Sequence, residues 1–353
     1  MVRSRRVIWS FAFSTAVALA LALASGVAQS QAHDADNDSI PDAVETATQR
    51  VVSAVAQRGG LSFTSRLVSA PSEDQFGVSF SDGKFDVYYV KPGGGGVSYT
   101  LELKSLVQWL DENGNGLVDD GEIVPSESLG SSAFGDVNSS HVEMPNEDGG
   151  RVHYLNVTSR TGLVSLNLTV AERFMRLSAN RILTPMEVKV DIEINRPAMQ
   201  VGAYIGIEFR METGEDVEYS DVTWDELHDF AVDDAAMNVT GGPPNAPSLA
   251  FFSWAETATV DGSQIPVDWM TRSGSEAGEY DLYLFYLTGG QSVVQLVHDP
   301  TIGVRSAAFE DVVSRPPPLQ ADYILYGGTL AAMAVLVIGT IVFANRRRKK
   351  REE

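Results

Sequence analysis

The chain has 353 residues, a net charge of −21 and no cysteine. A hydrophobic fraction of 44% is enough to bury a substantial core, so a wholly disordered chain is excluded. The absence of cysteine excludes disulfide frameworks, thiolate metal sites and Cys nucleophiles, and the acidic balance argues against nucleic acid as a main partner.

The N-terminus reads as an export signal. Arg3, Arg5 and Arg6 form a basic start, residues 7–24 are apolar or small, and small residues near Ala28 and Ala32 suit cleavage. Residues 1–32 are therefore assigned as a signal peptide, with a retained anchor as the alternative. The segment 4–9 resembles a twin-arginine export motif, so the sequence leaves the general and twin-arginine routes both open.

Residues 33–60 read as an acidic loop followed by a helix. Val44, Ala47, Val51, Val52 and Val55 have helical spacing, and Gly59-Gly60 ends the run. From residue 61 the period changes to two. Residues 76–80 and 85–90 flank Asp82-Gly83, a strong hairpin signal. Apolar residues then alternate at Val97, Tyr99, Leu101 and Leu103, and again at Val164, Leu166, Leu168 and Val170. The same alternation runs through Val188, Val190, Ile192 and Ile194, and through Ile205, Ile207, Phe209 and Met211. Residues 249–254, 280–287 and 292–297 are further candidate strands. One dry and one wet face per strand is the pattern of antiparallel sheets packed face to face. The expected fold class is all-β: an antiparallel β-sandwich over residues 61–315, one large or two smaller, with a short N-terminal helix.

Residues 316–322 continue a Pro-rich stalk. Residues 323–345 carry no charge and, at about 1.5 Å per residue, are long enough for one transmembrane helix. Six basic residues follow at once within 346–353, which puts that tail in the cytoplasm and the N-terminus outside. Removing the +3 of residues 1–32 and the +4 of residues 346–353 leaves −28 on the exported part. A face this acidic attracts cations. Such a cysteine-free ectodomain fits a prokaryotic cell surface. Five N-x-Ser/Thr sequons, at Asn37, Asn138, Asn156, Asn167 and Asn238, are candidate glycosylation sites.

The most informative motif spans residues 111–122, DENGNGLVDDGE. Ca²⁺ takes six to eight oxygens, and a twelve-residue loop supplies them from positions one, three, five, seven, nine and twelve, with glycine turning at six. Those positions hold Asp111, Asn113, Asn115, Leu117 (through its carbonyl), Asp119 and Glu122, with Gly116 at six. The segment resembles an EF-hand loop. Leu103, Leu106, Val107 and Leu110 have the spacing of a short entering helix, whereas Pro125 forbids a long exiting one, so an isolated loop within a β-domain is expected. A second loop, residues 34–45, places Asp34, Asp36, Asp38, Ile40, Asp42 and Glu45 at the same positions. It resembles the acidic loops of dockerins and thrombospondin type three repeats, with Ser39 where the glycine belongs. An acidic surface turn and a helix cap are the respective alternatives.

No catalytic motif is present. His33, His141, His153, His228 and His298 form no close pair in sequence, and no nucleophile elbow or phosphate loop occurs. Trp224, Trp254 and Trp269 suit a core or a carbohydrate platform. The sequence thus leads to a calcium-binding, single-pass cell-surface protein with a structural, adhesive or ligand-binding role. An anchored extracellular hydrolase, or a subunit of a membrane complex, is the alternative. The implied partners are the membrane, calcium and a surface glycan or protein.

Overall fold

A computed structural model describes residues 48–68, 74–91, 94–115, 118–146, 149–178, 181–220, 235–240 and 250–304. The expected signal peptide, the loop at 34–45, the stalk, the membrane span and the basic tail lie outside the described residues. Among the described residues no helix is long and apolar enough to cross a membrane.

The described chain is all-β and antiparallel. One layer begins with β1 (Arg50–Gln57), β2 (Gly60–Leu67), β3 (Gln75–Ser81), β4 (Lys84–Val90) and β5 (Gly96–Trp109), paired in sequence order. The far end of β5 pairs with β6 (Ile123–Ser128), and its other edge pairs with β13 (Tyr204–Thr213). β13 pairs in turn with β19 (Glu279–Tyr286), and β19 with β18 (Ser263–Ser273). A single-turn helix, α1 (Ser131–Phe134), follows β6.

The second layer runs from β7 (Ser139–Pro145) through β8 (Arg151–Thr158) and β9 (Val164–Ala171) to β12 (Glu187–Asn195). The free edge of β12 takes two short strands, β20 (Gln295–His298) and β21 (Thr301–Val304). β21 continues into β16 (Ala250–Trp254), β15 (Ala235–Thr240) and β14 (Asp216–Ser220). β20 pairs with β17 (Thr257–Val260), and β17 with the first half of β18. Because the second half of β18 pairs with β19, this strand stitches the two layers into one continuous sheet. A separate hairpin, β10 (Met175–Ser178) with β11 (Arg181–Leu183), follows β9; Met175 and Leu183 pack there with Val152 and Ala171.

Alternation explains the core. Leu101, Leu103, Val164, Leu166, Leu168, Val188, Ile194, Ile207 and Met211 are fully buried, and the charged or polar residues between them face outward or sit at the rims. Contacts between the layers identify the sandwich-like packing. The Phe209 and Phe252 ring centroids are 5.2 Å apart, and the Tyr99 hydroxyl donates to the Phe251 carbonyl at 2.9 Å. Trp254 is a core residue, packed edge-on against Trp269 at 5.6 Å. The Asp82-Gly83 turn is as expected, with φ of 53° and 85°, and Asp261-Gly262 repeats it between β17 and β18 with 49° and 80°.

At the start of β1, Arg50 forms a fully buried ion pair with Asp74 at 3.2 Å. Arg50 also donates to the Ser65 hydroxyl and to the carbonyls of Ser65 and Asp74, and Ser65 donates to the Pro185 carbonyl. Burial pulls the Arg50 guanidinium below its ordinary value, with Asp74 opposing.

Two expectations are corrected. Residues 50–57 form strand β1, not the end of a helix. Val51 and Val55 are exposed while Val52 is buried, so the valines serve a two-residue period; their β-branching favours the strand. Gly59, at φ 88°, turns a hairpin instead of ending a helix. Likewise no helix enters the 111–122 loop, because residues 96–109 are all strand. A β-bulge explains the misleading spacing. Phe209 faces Leu103 and Glu208 faces Ser105, so Lys104 is extra, and the inward set shifts from Leu103 to Leu106.

Candidate functional site

The 111–122 loop joins β5 to β6 on the outer face of the first layer. Its footing is a small apolar cluster on that face: Val107, Trp109, Tyr283 and Phe285, with Val118, Ile123 and Tyr204 packed against it. Trp109 stacks on Tyr204 at 4.8 Å. The outer cluster is the product of the bulge, which turns Val107 and Trp109 away from the inter-layer core.

Glu122 roots the loop. It is 7% exposed, and both carboxylate oxygens accept hydrogen bonds. Oε2 accepts from the Trp109 indole N–H at 3.0 Å, and Oε1 from the amides of Glu112 and Asn113 at 3.0 and 3.3 Å. The remaining described positions draw together at the exposed tip. Asp111 Oδ1 and Asn113 Oδ1 both accept from the Asn115 amide, at 3.1 and 2.9 Å. Asp119 Oδ2 accepts from the side-chain amides of Asn113 and Asn115 at 2.7 and 3.0 Å. Gly116 and Leu117 lie outside the described residues, as does the whole set Asp34, Asp36, Asp38, Ile40, Asp42 and Glu45.

The loop thus brings Asp111, Asn113, Asn115 and Asp119 into one hydrogen-bonded knot. It does not gather Asp111, Asp119 and Glu122 into a tight carboxylate triad. Among the described residues the one group of three or more His, Asp or Glu side chains with ligand atoms within 4.8 Å of one another is elsewhere: His141, Glu143 and His153. The loop chemistry nonetheless suits a hard cation. Turning the Asn113 and Asn115 amides over would present oxygen where each now presents N–H and would release Asp119 Oδ2 from both of the hydrogen bonds it accepts.

The histidine group was not visible by spacing along the chain, because twelve residues separate His141 from His153. Strand register brings them together: Glu143 lies directly opposite His153, and His141 is two residues from Glu143 on the same face. The legible signal was His-x-Glu on one strand and a third ligand across the following turn. His153 is 2% exposed, and burial holds its imidazole below the ordinary value while Glu172 and Glu143 pull it up.

His298 is buried between the Tyr286 hydroxyl and the Ala255 carbonyl. Asn156 and Asn167 hydrogen bond to each other across β8 and β9 at 2.7 Å, and Asn238 is buried in β15. His228 and Trp224 lie outside the described residues. A groove of about 560 Å³ opens between the ends of β4, β5, β13 and β19, lined by Asp86, Tyr88, Thr100, Glu212 and Glu279. It is open to solvent, whereas ligand pockets typically bury most of their ligand.

No protein-family model matches this sequence, and no curated protein is significantly similar to it.

Proposed function

We propose that this is an exported, membrane-anchored surface protein whose β-domain binds Ca²⁺ through residues 111–122 and serves a structural or ligand-holding role. The observation that carries the reading is the oxygen-rich knot of Asp111, Asn113, Asn115 and Asp119 at the tip of the β5–β6 connection. Ca²⁺ would replace the side-chain amide donors that now neutralise Asp119 and would fasten the tip over the Trp109 cluster. The ion would act as a staple, since the loop is flanked by strands β5 and β6 rather than by a helix pair that could open. The anchor at residues 323–345 and the six basic residues after it support the surface location, and protease added to intact cells should remove the β-domain and leave the tail protected.

The test is calorimetric titration of the full chain in detergent with Ca²⁺, on wild type, Asp111→Asn and Asp119→Asn. Both substitutions keep side-chain size, Asp111 at a half-buried and Asp119 at an exposed position. Wild type should bind, and both variants should bind at least tenfold more weakly. At about 100 times the dissociation constant, Ca²⁺ should add roughly 2.7 kcal/mol of stability. Equal binding by all three, or a melting temperature indifferent to chelator, refutes the calcium reading.

A further inference from the structure

We propose a second metal site, for a divalent transition ion of the Zn²⁺ type, formed by His141 Nε2, His153 Nδ1 and Glu143 Oε2 on the β7–β8 hairpin. It is independent of the calcium reading: it lies on the other layer and uses different ligand chemistry. Imidazole nitrogens suit Zn²⁺ and its neighbours, whereas Ca²⁺ takes oxygens.

Four observations carry it. First, the spacing fits. Two ligands at about 2.0–2.1 Å from a tetrahedral ion stand roughly 3.4 Å apart. His141 Nε2 and His153 Nδ1 are 3.1 Å apart, and His153 Nδ1 and Glu143 Oε2 are 3.9 Å apart. Second, the ligands are built on paired strands. Register fixes Glu143 against His153 and puts His141 on the same face, so the backbone already holds the three ligand positions together. Third, the outer partners are in place. Arg151 donates to Glu143 Oε1 at 2.6 Å, which leaves Oε2 for the ion. Glu172 Oε1 stands 3.7 Å from His153 Nε2, the nitrogen that would carry the proton when Nδ1 ligates. Such a carboxylate behind a ligating histidine fixes its tautomer and raises its basicity. Fourth, His153 Nε2 is buried and has no hydrogen-bond partner among the described residues. A small contraction toward Glu172 on metal binding supplies one.

Without an ion, the two imidazoles share one N–H across 3.1 Å, with ring planes 13° apart. With an ion, both lone pairs turn to the metal, and the shared proton moves through solvent to the other nitrogen of its own ring, so both imidazoles stay neutral. Glu143 is exposed, so the fourth position is open to water or to a ligand atom from outside.

The experiment strips the full chain of metal with chelator and titrates it with Zn²⁺, then with Co²⁺ as a spectroscopic substitute. Wild type should take up one equivalent of Zn²⁺. Its Co²⁺ form should show the intense visible bands of a tetrahedral site. His141→Gln and Glu143→Gln sit at the half-buried and exposed positions, so both should fold with wild-type circular dichroism. Each should weaken Zn²⁺ at least tenfold and weaken the Co²⁺ bands. Glu172→Gln, a positioning change, should weaken Zn²⁺ about tenfold while keeping the tetrahedral spectrum. Asp119→Asn should leave Zn²⁺ uptake unchanged, which separates this site from the calcium loop. Absence of stoichiometric uptake by wild type, or equal uptake by wild type and the His141→Gln/Glu143→Gln double variant, overturns the proposal.

Discussion

Glutamine at position 122 looks conservative, yet the structure makes it costly even without metal. Both oxygens of Glu122 face donors: the Trp109 indole on one side and the amides of Glu112 and Asn113 on the other. A glutamine has one oxygen. If that oxygen keeps the two amides, its NH₂ group meets the Trp109 N–H, and two donors are left without an acceptor in a buried place. The charge-assisted character of the surviving bonds is lost as well. Leaving a buried polar group unpaired costs about 1–3 kcal/mol, and bonds to charged groups contribute about 1.5–3 kcal/mol each. We therefore expect Glu122→Gln to lose about 2–3 kcal/mol in excess chelator, a drop in melting temperature of roughly 5–10 °C for a domain of this size. Denaturant unfolding with chelator present, for wild type, Glu122→Gln and the exposed control Asp119→Asn, measures it. A loss below about 0.5 kcal/mol in Glu122→Gln would show that the carboxylate is not the root of the loop. It follows that Glu122 is a poor reporter of calcium, because its removal disturbs the loop before any ion is considered.

Two further outcomes are expected. Asp74→Ala should destabilise by about 3–5 kcal/mol, since it strands the Arg50 guanidinium in the core, whereas Arg50→Met/Asp74→Leu should recover most of that loss in urea unfolding; equal losses for single and double variants would contradict it. Burial raises the phenols of Tyr99 and Tyr286 far above their ordinary value of 10.0. The stability they carry is complete below pH 10 and falls as pH rises above it, by about 1.4 kcal/mol per pH unit for each phenol that ionises only on unfolding. Phenolate absorbance should therefore show these two titrating together with loss of fold, and smooth titration of every tyrosine in the folded protein would refute it.

The strands with clean alternation were legible because each face has a different fate, and a two-residue period records that directly. Where the period was broken, the reading failed. The bulge at Lys104 shifted the inward set by one residue and produced a run at 103, 106, 107 and 110 that imitates a helix. At 44, 47, 51, 52 and 55 a helical wheel could be drawn, but it ignored that Val51 and Val55 point to solvent while Val52 points inward. The 111–122 segment was legible as a loop between strands, but not its footing on Trp109. That footing depends on which face the bulge presents. The pairing of His141 with His153 was missed for another reason: His-x-Glu marks one strand, but the third ligand depends on register across the hairpin, which spacing along one strand does not encode.

The exit of the described chain through β21 has a mechanical consequence. β21 is held on both edges, by β12 and β16, and both neighbours run antiparallel to it. A pull applied beyond Val304, along the strand, loads both rows of hydrogen bonds at once, in shear. β1, the first described strand, is paired along one edge to β2, so the same pull on its start loads a single row. The last described strand is therefore held by two rows of hydrogen bonds, whereas β1 is held by one row and by the buried Arg50 network.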